Sequence, residues 1–381
     1  MKRRTSWALA ACLAAGLLVA AGCGGSSKSS SGSTTSNGKN CSSKDDITLQ
    51  SKWVVQAQFA GYYAAKAKGF YDDQCLNVTI KPGGPDITPE QVVQSGQAEF
   101  GIDWLPSLLA TRDTGGNLVN IAQVFTRSGM TELTWKTSDI TTIAGMRDKK
   151  VGVWCCGNQW ELYAALTKNG INPKSSSDVT IVNQPFDMNL FLQNKVDAAA
   201  AMTYNELAQV LETKDPSTGQ LYKPSQLNVI KMESVGTGML EDGIFVRGDW
   251  IQNKQNQDIA KRFLEASFRG WIYCRDHFQD CVNIVLDNGP TLGKGHQTWQ
   301  MNEINALIWP APKGIGVMNQ AAYLRTARIA QQFKVISKAP SPQAYRTDLA
   351  EAADQALEKQ GIATSGTGWV KAVVRVVAGG K

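Results

Sequence analysis

Histidine is nearly missing from this chain: His277 and His296 are the whole supply in 381 residues. That shortage leaves no Ser/His or Cys/His arrangement for a hydrolase, whose nucleophile needs a base within reach. No CxxC pair and no histidine cluster occurs, so no spacing resembles a zinc site and no metal is expected. A dense lysine and arginine block is also missing. The formal charge of +6 falls to +3 if Lys2, Arg3 and Arg4 leave with a leader. Such a charge serves solubility, and nucleic acid is not an expected partner. Arg112, Arg127, Arg147 and Lys149 fall near loops and read as solvated surface. Beyond Ala21 no apolar run reaches the roughly 20 residues of a membrane helix.

What is present begins with Lys2-Arg3-Arg4, an apolar run from Trp7 to Ala21, and then Ala20-Ala21-Gly22-Cys23. The charges, the short apolar stretch and the small residues are those of an export signal over residues 1–22. A cysteine directly after them resembles the bacterial lipoprotein box, in which Cys23 takes a lipid and becomes the mature amino terminus. Leucine is more usual where Ala20 stands. Gly24 to Asn40 is almost all Gly, Ser, Thr and Asn, a composition that cannot bury enough apolar surface to fold. Residues 23–44 therefore read as a lipidated cysteine and a flexible leash on an extracytoplasmic protein anchored to the cell membrane. The remaining body, roughly 340 residues, is long enough to divide into two lobes.

Six cysteines remain once Cys12 and Cys23 are set aside: Cys41, Cys75, Cys155, Cys156, Cys274 and Cys281. An even number outside the cytoplasm suggests disulfides. On one straight helix Cys274 and Cys281 would have Cα atoms about 10 Å apart, too far to bridge. Their pairing requires a chain break near Asp276-His277, and Cys41 with Cys75 is the second expected pair. Cys155 and Cys156 either form a vicinal disulfide or stay as two thiols.

Strand-like and helix-like segments alternate along the body. Ile47 to Val55 reads as strand, Phe59 to Tyr71 as helix, Asn77 to Ile80 as strand and Pro89 to Ser95 as helix. The rhythm returns with Lys150 to Trp154, Gln159 to Asn169 ending at Gly170, Val179 to Asn183, Met188 to Gln193 and Val196 to Ala201. Asp258 to Leu286 is mainly helical, with Ile259, Phe263, Trp271, Phe278 and Val282 facing a core. Such alternation predicts an α/β fold of largely parallel sheets covered by helices.

Specific residues then carry a family resemblance. Trp53, the stretch Gln58-Phe59-Ala60-Gly61-Tyr62-Tyr63-Ala64-Ala65-Lys66-Ala67-Lys68-Gly69-Phe70-Tyr71, and Gly96-Gln97-Ala98-Glu99-Phe100-Gly101 open it. Lys150-Val151-Gly152-Val153-Trp154, Asn183-Gln184-Pro185-Phe186-Asp187-Met188 and Val196-Asp197-Ala198-Ala199-Ala200 follow in order. Over roughly residues 45–335 the chain resembles solute-binding proteins of the NMT1/THI5-like group. The resemblance implies a periplasmic-binding-protein-like type II fold: two α/β lobes, two crossover strands and a ligand cleft. The crossings would fall near Phe125 to Lys136 and Met239 to Val246. The first lobe would then comprise residues 45–130 and 243–381, and the second 131–242. An ABC permease and ATPase are the implied partners of a monomeric receptor, whose cargo would be a small planar molecule such as a formylamino- or hydroxymethyl-aminopyrimidine. Riboflavin and small anions, sulfonate or nitrate, are handled by relatives and stay open.

A flat heteroaromatic ring needs aromatic faces for stacking and a few carboxylates or amides for its amine and ring nitrogens. Strand ends offer such groups at Trp53, Gln58, Asp103, Trp104, Trp154, Asn158, Trp160, Tyr204, Asn205 and Glu206. Trp53 could equally cap a core, at least one of Tyr62 and Tyr63 is core, and Glu241 and Asp242 read as a solvated turn. The loop from Trp154 to Trp160 would open a helix whose free N–H groups attract polar ligand atoms.

A related branch resembles these receptors yet synthesises the thiamine pyrimidine with a lysine-bound pyridoxal phosphate and a consumed histidine. At the matching positions this chain has Asp103 and Ser107, and it has no cysteine in Val235 to Phe245. The reading is therefore a binding protein with no catalytic residue and no cofactor.

Overall fold

The computed structural model describes residues 41–379 apart from Cys156. The leader, the Cys23 lipidation site and most of the leash lie outside these residues, as does one member of the Cys155–Cys156 pair.

Ten strands among the described residues make two five-stranded sheets. The first holds β1 (Asp45–Gln50), β2 (Leu76–Lys81), β3 (Phe100–Trp104), β4 (Leu118–Gln123) and, from far along the chain, β10 (Asp242–Arg247), in the order β2-β1-β3-β10-β4. The second holds β5 (Met130–Trp135), β6 (Lys150–Val153), β7 (Thr180–Asn183), β8 (Ala198–Met202) and β9 (Leu227–Lys231), in the order β7-β6-β8-β5-β9. The chain thus changes sheet twice, between Gln123 and Met130 and between Lys231 and Asp242. In each sheet the strand entered directly from the other sheet, β5 or β10, runs antiparallel to both its neighbours. It starts at the end where the parallel strands finish, because Asp242 pairs with Trp104 and Met130 with Met202. The loops after β1, β3, β6 and β8 therefore gather at the two sheet ends that the crossings join.

Helices cover both sheets. Early ones are α1 (Ala60–Ala67), α2 (Phe70–Asp73), α3 (Pro89–Gln94) and α4 (Leu105–Asp113), followed by α5 (Trp160–Lys168), α6 (Asn189–Leu192), α7 (Glu206–Leu211) and α8 (Met232–Val235). The carboxyl part is helical: α9 (Lys254–Asp276), α10 (Phe278–Asn288), α11 (Lys294–Ile308), α12 (Gln320–Gln332) and α13 (Asp348–Lys359).

The two-lobe α/β expectation holds, with local corrections. The first strand stops at Gln50, so Ser51 to Val55 form a loop instead of its end. Gly69, at φ +74°, breaks the expected helix from Phe59 to Tyr71 into α1 and α2, since a left-handed residue cannot continue a right-handed turn. His277 separates α9 from α10, and that corner brings Cys274 and Cys281 into a disulfide with Cα atoms 5.2 Å apart. Cys41 and Cys75 form the other expected bridge, with Cα atoms 5.6 Å apart, and it ties the starts of β1 and β2 together.

Helix α1 crosses α9 where Gly61 and Gly270 meet. A Cβ on Gly270 would stand 2.0 Å from the Gly61 carbonyl oxygen, so the close approach requires glycine. Trp271 then packs edge-on against Tyr62 at 5.6 Å, and Phe100 of β3 stacks on Phe263 at 4.0 Å. Burying each such ring contributes about 2 kcal/mol or more. Both Tyr62 and Tyr63 are core, and of the expected α9–α10 positions Phe278 alone remains half-buried.

Arg147 and Lys149 are exposed as expected, but Arg112 and Arg127 are half-buried. Arg112 donates to the Leu118 carbonyl, and Arg127 donates to the carbonyls of Ala306, Trp309 and Pro310 at the end of α11. Arg127 thus serves carbonyls at and just after the end of α11, and Arg112 the carbonyl that begins β4.

Candidate functional site

Between the two sheet ends lies a narrow cavity. From the first sheet's side it is lined by Lys52, Trp53, Gln56, Gln58 and Trp104, and from the second's by Trp154, Asn158, Met202, Tyr204, Asn205 and Glu206. Four aromatic side chains thus form walls, and amides and acids take the remaining surface.

The first bank is built on the loop after β1. Lys52 Nζ donates to Asp103 Oδ2 at 2.9 Å, and both side chains are sealed from solvent. Burial pulls the Lys52 ammonium down, but the Asp103, Glu90 and Asp242 carboxyls outweigh it and hold its pKa above the ordinary value. Glu90, buried at the start of α3, is pushed well up by burial and then by Asp103. Next along the loop, Gln56 Nε2 donates to Gln58 Oε1 at 2.6 Å and Gln58 Nε2 donates to Asp242 Oδ2 at 2.8 Å. Burial first of all raises Asp242 to about 7. The two glutamines form a directed relay from the cavity wall to a carboxyl beneath it.

The second bank is set by the end of β8 and the start of α7. Glu206 accepts from the Met202 N–H at 2.9 Å and from Asn205 Nδ2 at 2.7 Å, and burial raises it to about 7. Near neutral pH this carboxyl can therefore hold a proton, and it can either donate or accept a hydrogen bond. Trp154 is fixed by its Nε1–H to the Pro185 carbonyl at 3.2 Å. Ser107 of α4 reaches from the first lobe to the Gly157 carbonyl at 2.7 Å, so the two banks touch above the cavity.

The crossings meet at a second acidic group. Ser128 Oγ lies 2.7 Å from Glu161 Oε2 and 3.0 Å from Glu241 Oε1, while the N–H groups of Gly129 and Met239 donate to Glu241 and Glu161. One hydroxyl hydrogen cannot serve two carboxylates, so one of the pair holds a proton. Burial pushes Glu161 up to about 8, and burial followed by Glu161 pushes Glu241 well up.

Of the ten residues picked out from sequence, Trp53, Gln58, Trp104, Trp154, Asn158, Tyr204, Asn205 and Glu206 line the cavity. Asp103 stands one layer behind, holding Lys52. Trp160 lies elsewhere: it begins α5, meets Tyr163 edge-on at 6.3 Å and packs on the cluster that contains Tyr323 and Met318. The solvated-turn reading of Glu241 and Asp242 is overturned, since both are buried and both accept hydrogen bonds. Sequence reasoning missed Lys52, Gln56 and Met202. The first two sit in the loop already marked by Trp53 and Gln58, and Met202 ends the strand before Tyr204.

A family model described as NMT1/THI5 like matches residues 56–280. A putative thiamine biosynthesis protein of Haemophilus influenzae is 25% identical over 190 residues, covering 49% of this chain and 59% of that protein. The riboflavin-binding protein RibY of Chloroflexus aurantiacus is 24% identical over 230 residues, covering 59% and 61%. A 4-amino-5-hydroxymethyl-2-methylpyrimidine phosphate synthase of Saccharomyces cerevisiae, THI11, is 21% identical over 228 residues, covering 59% and 65%. The chain thus spans about 60% of the length of the curated relatives it matches. Among solved structures, the ligand-binding component of an ABC-type import system from Staphylococcus aureus superposes with a TM-score of 0.59 at 12% identity, over 81% of this chain and 99% of that one. The periplasmic aliphatic sulphonate binding protein SsuA of Escherichia coli gives 0.56 at 15% identity, over 81% and 92%. These likenesses establish the periplasmic-binding-protein fold.

Proposed function

Because the chain belongs to the NMT1/THI5-like family, we propose that it is an extracytoplasmic solute receptor of an ABC importer, capturing an aminopyrimidine precursor of thiamine between its lobes. The observation that carries this reading is the composition of the cavity. Trp53, Trp104, Trp154 and Tyr204 offer faces to a flat ring, and Glu206 presents a carboxyl of near-neutral pKa. A 4-aminopyrimidine shows an N–H donor beside a ring-nitrogen acceptor, which matches one carboxyl oxygen and one carboxyl O–H. Lining residues come from both lobes, so a ligand touching both favours the shut arrangement, which a permease and ATPase then recognise. The first lobe would comprise 45–130 and 243–381 and the second 131–242, with the monomeric receptor tethered through lipid on Cys23.

Small anions fit less well. Lys52, the cation of the lining among the described residues, is already engaged by Asp103, and Glu206 would repel a sulfonate or nitrate. A synthase reading finds acid and hydroxyl at Asp103 and Ser107, where the related enzymes carry lysine and histidine, and Ser107 is spent on Gly157. The test is calorimetric titration of the purified protein with 4-amino-5-hydroxymethyl-2-methylpyrimidine, its formylamino analogue, riboflavin, nitrate and taurine. Micromolar or tighter binding of an aminopyrimidine supports the proposal. Binding of riboflavin or an anion alone keeps the receptor and discards the cargo.

A further inference from the structure

Helix α11 grips both banks of the cavity with two consecutive residues. Gln297 Oε1 accepts from the Ala57 N–H at 2.7 Å, between Gln56 and Gln58 of the first bank. His296, 3% exposed, places Nε2 2.8 Å from Asn205 Oδ1 and Nδ1 2.8 Å from Glu212 Oε2 on the second. Three residues on from His296, Trp299 Nε1 donates to the Thr203 carbonyl at 3.0 Å. Spacing of three puts His296 and Trp299 on one face of α11, while Met301, Ile304 and Ile308 at spacings of three and four join the main hydrophobic core, with Gln297 one turn before Met301.

We propose that His296 is a positioning residue of the ligand cleft, fixing the Glu206 carboxyl through Asn205 and so coupling ligand affinity to the seating of α11 on the second lobe. The proposal rests on the cavity being the ligand site. Asn205 uses its NH₂ on Glu206 Oε1 and therefore turns its oxygen to His296, which requires hydrogen on Nε2. Nδ1 faces Oε2 of the buried Glu212 at 2.8 Å. A ring that donates from Nε2 holds the amide in a single orientation, and that orientation sets which Glu206 oxygen is left for a ligand. A side chain with no hydrogen at the Nε2 position would favour a turned amide and withdraw the NH₂ from Glu206. The charged groups that meet the ring are Glu212 directly and Glu206 through Asn205. Because coupling is reciprocal, a ligand that tightens on Glu206 also tightens the hold of α11 on the segment from Thr203 to Glu212.

The test separates the two ring nitrogens. Glutamine places a donor where Nε2 stands, and asparagine where Nδ1 stands. Dissociation constants for 4-amino-5-hydroxymethyl-2-methylpyrimidine and melting midpoints are measured for wild type, His296→Ala, His296→Asn and His296→Gln. His296→Ala and His296→Asn should bind about tenfold more weakly, and His296→Gln should recover most of that loss although its midpoint falls through the missing Glu212 contact. Equal weakening in all three variants, or unchanged affinity in His296→Asn, overturns the proposal. If wild type itself binds no aminopyrimidine and no riboflavin, the ligand-site reading fails by itself. The ring is then judged by ¹⁵N resonances of the unliganded protein, where a protonated His296 Nε2 supports the Asn205 contact and an unprotonated Nε2 rejects it.

Discussion

Lys52 Nζ and Asp103 Oδ2 stand 2.9 Å apart with side chains 4% and 1% exposed, so a complete ion pair lies directly beneath the cleft. Lys52 enters from the loop after β1 and Asp103 from the second-last position of β3, and they meet because β1 and β3 are parallel neighbours finishing at the same end. Two desolvated charges contribute little net stability, but removing one partner strands the other. The pair therefore acts as a support for the first bank, holding Lys52 and the adjoining Trp53 at the cavity wall.

Breaking that support has a defined cost. Asp103→Asn should lower the stability of unfolding by about 3 kcal/mol, read from urea midpoints, because Lys52 loses its direct partner. Lys52→Met with Asp103→Leu, which removes both charges, should recover most of the loss. Recovery no better than the single variant would show that the charges themselves are stabilising.

Ligand affinity should fall with rising pH above about 7. The aminopyrimidine and Glu206 share one proton in the complex, and above the Glu206 value of about 7 that proton must be taken from solvent. Glu206→Gln should weaken binding roughly tenfold and remove this alkaline limb. Titrations between pH 6 and 9 read both effects, and an alkaline limb that persists in Glu206→Gln assigns the proton elsewhere.

At the crossings, the buried acids make stability decline on the alkaline side. Glu161 has a folded pKa of about 8, above its value in the unfolded chain, so between about 4.5 and 8 the folded state holds more protons. Its contribution is fully present below that window and is lost as pH rises through 8. Glu161→Gln should flatten the fall in melting midpoint between pH 6 and 9, whereas an unchanged slope would place the linked proton on Glu241 or Asp242.

The two disulfides should differ in weight. The Cys41–Cys75 bridge closes a loop of 34 residues and the Cys274–Cys281 bridge one of 7. Loop-closure entropy assigns about 3 to 4 kcal/mol to the former and about 1 kcal/mol less to the latter. Serine pairs at each bridge, compared by melting midpoint, should keep that order.

Much of the cavity was legible because parallel strands must finish together, and polar or aromatic residues after strands then share one place. That logic found Trp53, Trp104, Trp154, Tyr204 and Glu206. It failed for Trp160, which starts α5 and is rotated away into a hydrophobic cluster by the turn of the helix. It failed again for Asp242, whose neighbours read as a turn until β10 is placed beside β3 and its carboxyl falls under Gln58. His296 gave no local signal at all, lying 91 residues from Asn205 along the chain.

By itself the sequence determined the alternation of strand and helix, the break near Asp276-His277 that ends α9, and the Cys274–Cys281 pair that this break permits. These follow from periodicity, backbone freedom and reach, which act over a few residues. Only the tertiary structure decided which acids are buried, which amide faces which carboxyl, and that one helix near the carboxyl end holds both banks. Those depend on segments 50 to 240 residues apart sharing a dry space, where burial and a partner's charge set protonation and orientation.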